Sequence, residues 1–145
     1  MKLVVQRVLS ANLKVDGKVV SKIEKGLVVF VGVASGDGDE QVKYFTKKIP
    51  DLRIFEDENG RTNKSILDVK GEILLVSQFT LLANTSHGNR PDFFGAEKPE
   101  RANQVYLALK DGIISRGVPV YTGVFGADMK IEQVNDGPFT IVMEK

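Results

Sequence analysis

There is no cysteine in this chain of 145 residues. Disulfides, thiolate nucleophiles and Cys-based zinc sites are therefore excluded, and the absence is compatible with a reducing cytoplasm. Histidine occurs once, as His87. A His-based metal site needs more than one such ligand and fails by count. A Ser-His-Asp triad would have to recruit His87 from a Gly/Asn-rich loop, where a solvated side chain is the ordinary reading, and no serine sits in a Gly-x-Ser-x-Gly elbow. Long apolar runs are missing too. Stretches such as Leu27 to Val31 and Ile73 to Val76 fall far short of the roughly 20 residues of a membrane span, and Gln6 and Arg7 break the opening apolar run too early for a signal peptide. Neither charge sign dominates: Lys plus Arg number 20 and Asp plus Glu 19. A protein that coats phosphate backbones by bulk charge is more basic than this, so any RNA contact is expected through a local patch or an end-specific pocket.

What is present suits one globular domain spanning residues 1–145. The chain is 42% apolar and 27% charged, enough to close a core at this length, with no repeat, low-complexity tract or linker. Residues 2–8 and 13–20 read as a hairpin or bent strand pair around the Asp16-Gly17 turn signal. Residues 27–33 read as a strand buried on both faces. Val42, Phe45 and Ile49 recur at helical spacing, predicting a short helix over 39–49 that Pro50 ends. Asp37, Asp39 and Glu40 are explained by capping that helix rather than by metal binding, and Gly36-x-Gly38 lacks the Gly-Lys-Ser/Thr ending of a phosphate loop. Strands are expected over 51–55 and 72–77, a charged turn over Glu56 to Gly60, and loop from Leu82 to Pro99. Pro99 opens a second helix carrying the apolar stripe Ala102, Val105, Tyr106, Leu109 and Ile113, stopped by Gly117 and Pro119. Short strands over 118–124, 129–134 and 139–143 close the chain. The fold class is α/β, a mixed sheet curled towards a barrel with two packed helices.

A hydrolase built from these residues must use backbone donors around an oxyanion, hydroxyls, or a group on the substrate itself. Ser77-Gln78-Phe79-Thr80-Leu81 lies where a buried strand emerges, so its side chains can face a cleft and its turning backbone can present N–H groups. By itself the segment reads more readily as a strand end whose hydroxyls cap neighbouring backbone. Asn135-Asp136-Gly137-Pro138 is a turn signal, and a hairpin turn is its plain reading.

Together these two motifs and Thr140 resemble the D-aminoacyl-tRNA deacylase family. The resemblance extends in order through Val5-Gln6-Arg7-Val8, Leu52-Arg53-Ile54-Phe55-Glu56-Asp57, Asn63 with Ser65 and Asp68, Gly88-Asn89-Arg90-Pro91 with Phe93, and Thr122-Gly123 with Phe125-Gly126-Ala127-Asp128-Met129. It implies a homodimeric enzyme, without metal or organic cofactor, that hydrolyses the ester between a D-amino acid or glycine and the 3′-terminal adenosine of tRNA. It implies a cis Gly137-Pro138 peptide reaching into the partner's active site, with Arg7 orienting the Gly-Pro carbonyls. Backbone N–H groups near Gln78 and Phe79 would stabilise the oxyanion, Thr80 would orient, and Ser77 completes the catalytic segment. Phe125 and Met129 would seat the terminal adenine, although core packing explains them nearly as well. Thr62, Phe139 and the Thr85-Ser86-His87 segment depart from the family's usual residues without touching the two central motifs. A catalytically inactive nucleic-acid-binding module on the same fold is the alternative, and a general esterase is disfavoured by the missing triad.

Overall fold

A computed structural model describes residues 1–145. The long strand β1 (Lys2–Val15) organises the sheet, because every antiparallel partner of the main sheet pairs with it. Its first half pairs with β3 (Gly26–Gly32), its second half with β2 (Lys18–Ile23), and its other edge with β8 (Lys130–Glu144) along almost the whole length. Asp16 and Gly17 turn β1 into β2 with φ of 49° and 74°, the paired positive values that a tight two-residue hairpin turn requires.

Beyond β3 the sheet becomes parallel, through β6 (Glu72–Ser77) to the short β7 (Val120–Thr122). The right-handed twist of strands curls such a sheet on itself, and here Ser21 Oγ on β2 donates to the Thr122 carbonyl on β7 at 2.6 Å. The sheet is thus nearly closed, and it buries apolar side chains on both faces. Leu27, Val29, Val31, Ile73 and Leu75 face the helices, while Val28, Leu74 and Val76 face the inside of the curl with Leu13 and Ile23. That two-sided burial is why β3 and β6 read as unbroken apolar runs.

The helices α1 (Asp39–Asp51) and α2 (Pro99–Ser115) lie side by side over the first of those faces and run in the same direction. The expected stripe of α2 is its buried face: Ala102, Val105, Tyr106, Leu109 and Ile113. Tyr106 donates its hydroxyl to the Leu75 carbonyl at 2.7 Å, and burial pushes its phenol well above the ordinary range. At the start of α1 the Gln41 side chain accepts the Gly38 N–H at 3.0 Å, half of a capping box. Neither helix is long and apolar enough to cross a membrane.

Three expectations are corrected. Pro50 does not end α1 at residue 49 but sits inside its last turn, where a missing N–H removes only one ladder bond. The strand expected over 51–55 shrinks to β4 (Phe55–Glu56), paired with β5 (Thr62–Lys64), because the Ile54 carbonyl is taken by the Arg7 guanidinium. The expected strands 129–134 and 139–143 are one strand, β8, and Asn135–Pro138 is no hairpin turn.

The helices meet where Gly112 faces Thr46. A Cβ on Gly112 would strike the Thr46 side chain, whose hydroxyl is buried without a partner. Alanine normally stabilises a helix interior relative to glycine by up to about 1 kcal/mol. Here Gly112→Ala is expected to destabilise the fold by about 1–3 kcal/mol through overpacking, and Thr46→Ala combined with it should restore most of the loss, as urea denaturation midpoints would read.

Candidate active site

A cavity of about 680 Å³ opens beyond the C-terminal end of β6. In sheets with parallel strands this end is where ligands gather, since loops diverge there. Its walls come from distant parts of the chain: Val76 to Phe79 at the strand end, Phe93 to Ala102 leading into α2, and Phe125 to Met129 with Ile131 before and within β8. Ser77, Gln78, Phe79, Phe125 and Met129 therefore line one cavity. Thr80 is held just behind them by a hydrogen bond from the Gln78 side-chain amide to its hydroxyl.

Local structure explains the geometry at the strand end. Ser77 still pairs with Val31, after which the chain enters a 3-10 turn, Phe79–Leu82. The Gln78 N–H is committed to the Val31 carbonyl at 2.8 Å, so it is not a free donor. Phe79 and Thr80 open the turn, where the first N–H groups have no acceptor within the helix. Phe79 is 55% exposed and stands edge-on against Phe93, ring centroids 5.0 Å apart. Phe125 is tilted against Tyr106 at 6.2 Å, so one side of its ring is anchored in the core. Gly123 carries no side chain because the Met129 sulfur occupies the place a Cβ would take.

Two wall residues carry no sequence signal of their own. Glu97 and Lys98 precede the Pro99 helix start and would be read as loop. The Lys98 and Gly36 N–H groups donate to the Glu97 carboxylate at 2.8 and 3.1 Å, holding its carboxyl below the usual carboxylate range. Glu97 ties α2's entry to the loop before α1 and is spent as an acceptor. His87 lies outside the cavity walls.

Arg7, Gly137 and Pro138 lie elsewhere, on the β1–β8 seam. Between the pairs Gln6–Thr140 and Val8–Asn135, residues Asp136 to Phe139 stand opposite Arg7 alone. This is an enlarged bulge of the kind that re-aims a strand segment, and it contains the Gly137-Pro138 peptide, which is cis. Gly137 has φ +126°, and a Cβ on it would lie 2.9 Å from the Phe139 nitrogen and 3.3 Å from Arg7 Nη2.

Arg7 is 5% exposed and fills the gap. Its Nη1 donates to the Ile54 carbonyl at 2.7 Å, its Nε donates to the Asp136 carbonyl at 3.2 Å and pairs with the Asp136 carboxylate at 3.1 Å, and its guanidinium carbon lies 5.0 Å from the Phe139 ring centroid. The carbonyl it binds is that of Asp136. The expected bonds from Arg7 to the Gly137 and Pro138 carbonyls are not made, and those two residues project exposed from the bulge.

Arg7→Met should cost about 3 kcal/mol, since it strands two carbonyls and a partly buried carboxylate. Asp136→Asn should cost about 1 kcal/mol, since the bonds to both carbonyls survive. Chemical denaturation of the two variants tests this ranking, and equal losses would contradict it.

The profile of a family described as D-Tyr-tRNA(Tyr) deacylase matches residues 4–144. A D-aminoacyl-tRNA deacylase of Lactobacillus delbrueckii subsp. bulgaricus is 53% identical over 144 residues, covering 99% of each chain. One of Geotalea daltonii is 49% identical over 99% of this chain and 96% of its own. Among solved structures, the c-Myc DNA Unwinding Element Binding Protein superposes with a TM-score of 0.95 at 40% identity, over 100% of this chain and 99% of that one. A probable eukaryotic D-amino acid tRNA deacylase shares the fold, with a TM-score of 0.82 at 18% identity over 98% and 97% of the two chains. A chain matched this closely over nearly all its length, with the strand-end cleft in place, belongs to the D-aminoacyl-tRNA deacylase family.

Proposed function

We propose that residues 1–145 act as one cytoplasmic, homodimeric deacylase domain. It cleaves D-aminoacyl esters, and glycine mischarged on tRNA-Ala, from the terminal adenosine of tRNA and releases free amino acid and tRNA, without a cofactor. The observation that supports this most is the placement of Gly137-Pro138, exposed on a bulge braced by Arg7 and outside the cleft of its own chain. In the proposed dimer each chain inserts this peptide into its partner's cleft.

The two carbonyls of a cis Gly-Pro unit then form a polar wall that accepts from the substrate's ammonium group. With the ammonium and the ester carbon both fixed, the α-carbon offers two remaining directions, one towards open space and one towards the wall. A D side chain takes the open one, an L side chain collides, and glycine passes. Exclusion by main chain tolerates many D side chains, which is specificity achieved by repulsion. Phe125 and Met129 offer the terminal adenine a flat ring and a polarisable sulfur.

In the chemical step, water adds to the ester carbonyl carbon, the bond to the ribose 3′-oxygen breaks, and a proton passes to that oxygen. The N–H groups of Phe79 and Thr80 are the proposed oxyanion donors, since that of Gln78 is occupied. The substrate's 2′-hydroxyl activates the water, and Thr80 orients. Ser77 and Thr80 have no adjacent histidine that would make either a nucleophile.

D-tyrosyl-tRNA, L-tyrosyl-tRNA and a simple ester, each offered with EDTA, separate the readings. Only the D form should be hydrolysed. Equal cleavage of D and L would refute the chiral wall, and tRNA binding without cleavage would favour the inactive binding module. Gly137→Ala should lower D-tyrosyl-tRNA turnover at least about 100-fold, the scale of a reacting group displaced by an ångström, with far-ultraviolet dichroism checking the fold. His87→Ala should leave the rate unchanged.

A further inference from the structure

The outer face of α1 carries Lys43, Lys47 and Lys48 on a stretch that also presents Glu40, Tyr44 and Asp51. With Lys145 these residues border a shallow hollow of about 570 Å³. Two of the local carboxylates are already used, Glu40 with Lys145 at 2.8 Å and Asp51 with Arg116 at 2.7 Å, and Asp39 at the helix start makes no ion pair. Lys43, Lys47 and Lys48 have no carboxylate partner, although ion pairs are frequent elsewhere on the surface. Lys43 and Lys47 stand one turn apart as like charges, an arrangement that disfavours a helix unless something negative lies against it. Three unpaired positive charges on one helix face stand out in a chain whose formal net charge is +1. The Tyr44 ring, 41% exposed, lies among them.

The helix pair relates this face to the cleft. Arg101 near the start of α2 lies against Gly38, Gly112 against Thr46, and Arg116 pairs with Asp51. The helices therefore begin together, and Lys98, Pro99 and Ala102 at the start of α2 border the cleft. From there, one interhelical spacing of about 8–10 Å and an axial rise of about 8 Å lead to Lys43. An RNA whose last nucleoside fills the cleft can lay its preceding phosphates across that distance.

Resting on the deacylase reading, we propose that the α1 face of Lys43, Lys47 and Lys48 is the docking surface for the ribose-phosphate backbone of the tRNA next to its 3′ end. The lysines act as point charges on phosphates and read no sequence. Affinity through this face therefore depends on salt and is indifferent to the amino acid carried.

The test is Lys43→Gln/Lys47→Gln/Lys48→Gln, a change that keeps helix propensity nearly constant. Four readouts are compared with wild type: binding of uncharged tRNA by fluorescence anisotropy, hydrolysis of D-tyrosyl-tRNA, hydrolysis of D-tyrosyl-adenosine, which has no phosphate, and sedimentation with anionic phospholipid vesicles. The expected result is about tenfold weaker tRNA binding at 0.15 M salt, with the logarithmic salt slope reduced by about two to three. KM for D-tyrosyl-tRNA should rise with kcat preserved, and hydrolysis of D-tyrosyl-adenosine should be unchanged. Lys18→Gln/Lys22→Gln on β2 should leave all four readouts as they are. Unchanged tRNA binding, equal loss on both esters, or a loss confined to vesicle binding would overturn the proposal. Wild-type protein that binds tRNA through these lysines but cleaves neither ester would refute the deacylase reading and leave the docking surface standing.

Discussion

One guanidinium in a mismatched seam governs much of this structure. Arg7 occupies the gap where Asp136 to Phe139 bow away from a single residue of β1. A bulge of that size exposes backbone that the ladder no longer satisfies, and unpaired carbonyls in a half-buried seam are costly. Arg7 meets them with its planar fork of donors, one aimed at Asp136 and one at Ile54. The same contacts stop β4 from extending towards α1 and fix where Gly137 and Pro138 protrude. Lysine, with a point charge on a flexible stem, would not bridge both sides at once.

The second organising constraint is the two-faced core. Because β3 and β6 bury both faces, the sheet must be covered by helices on one side and by its own curl on the other. Closing the curl brings the segment after β7 beside the end of β6, which puts Phe125 and Met129 opposite Ser77 to Phe79. The cleft is a by-product of how the sheet closes, and its chemistry is written in strand-end backbone more than in side chains.

Local signals account for what the amino-acid sequence disclosed. The Asp16-Gly17 turn, the Pro99 helix start and the α2 stripe depend on neighbours within one or two turns, and each is found where periodicity and turn chemistry place it. Pro50 is a local misreading, and the other two involve long-range partners. Asn135-Asp136-Gly137-Pro138 has the composition of a hairpin turn, yet β1 runs alongside and keeps it within one strand. Residues 52–54 have strand-like composition, but they pair with no strand, and the Ile54 carbonyl instead accepts from Arg7, a residue far away in the chain. At the cleft, Ser77 to Thr80 and Phe125 to Met129 were legible as motifs. Glu97 and Lys98 were not, because their place depends on how α2 enters the fold, and no local pattern encodes that.

The cleft's walls are drawn from the end of β6, the approach to α2 and the approach to β8, segments that are neighbours only after the sheet has curled shut. Two of these walls, Val76 to Phe79 and Phe93 to Ala102, share one stretch of the chain, while Ile131 in the third sits on β8, which is held by pairing along β1. The cavity is consequently complete only once β8 has paired along β1, and a chain in which that seam has not formed keeps two walls and lacks the one that Phe125 and Met129 supply.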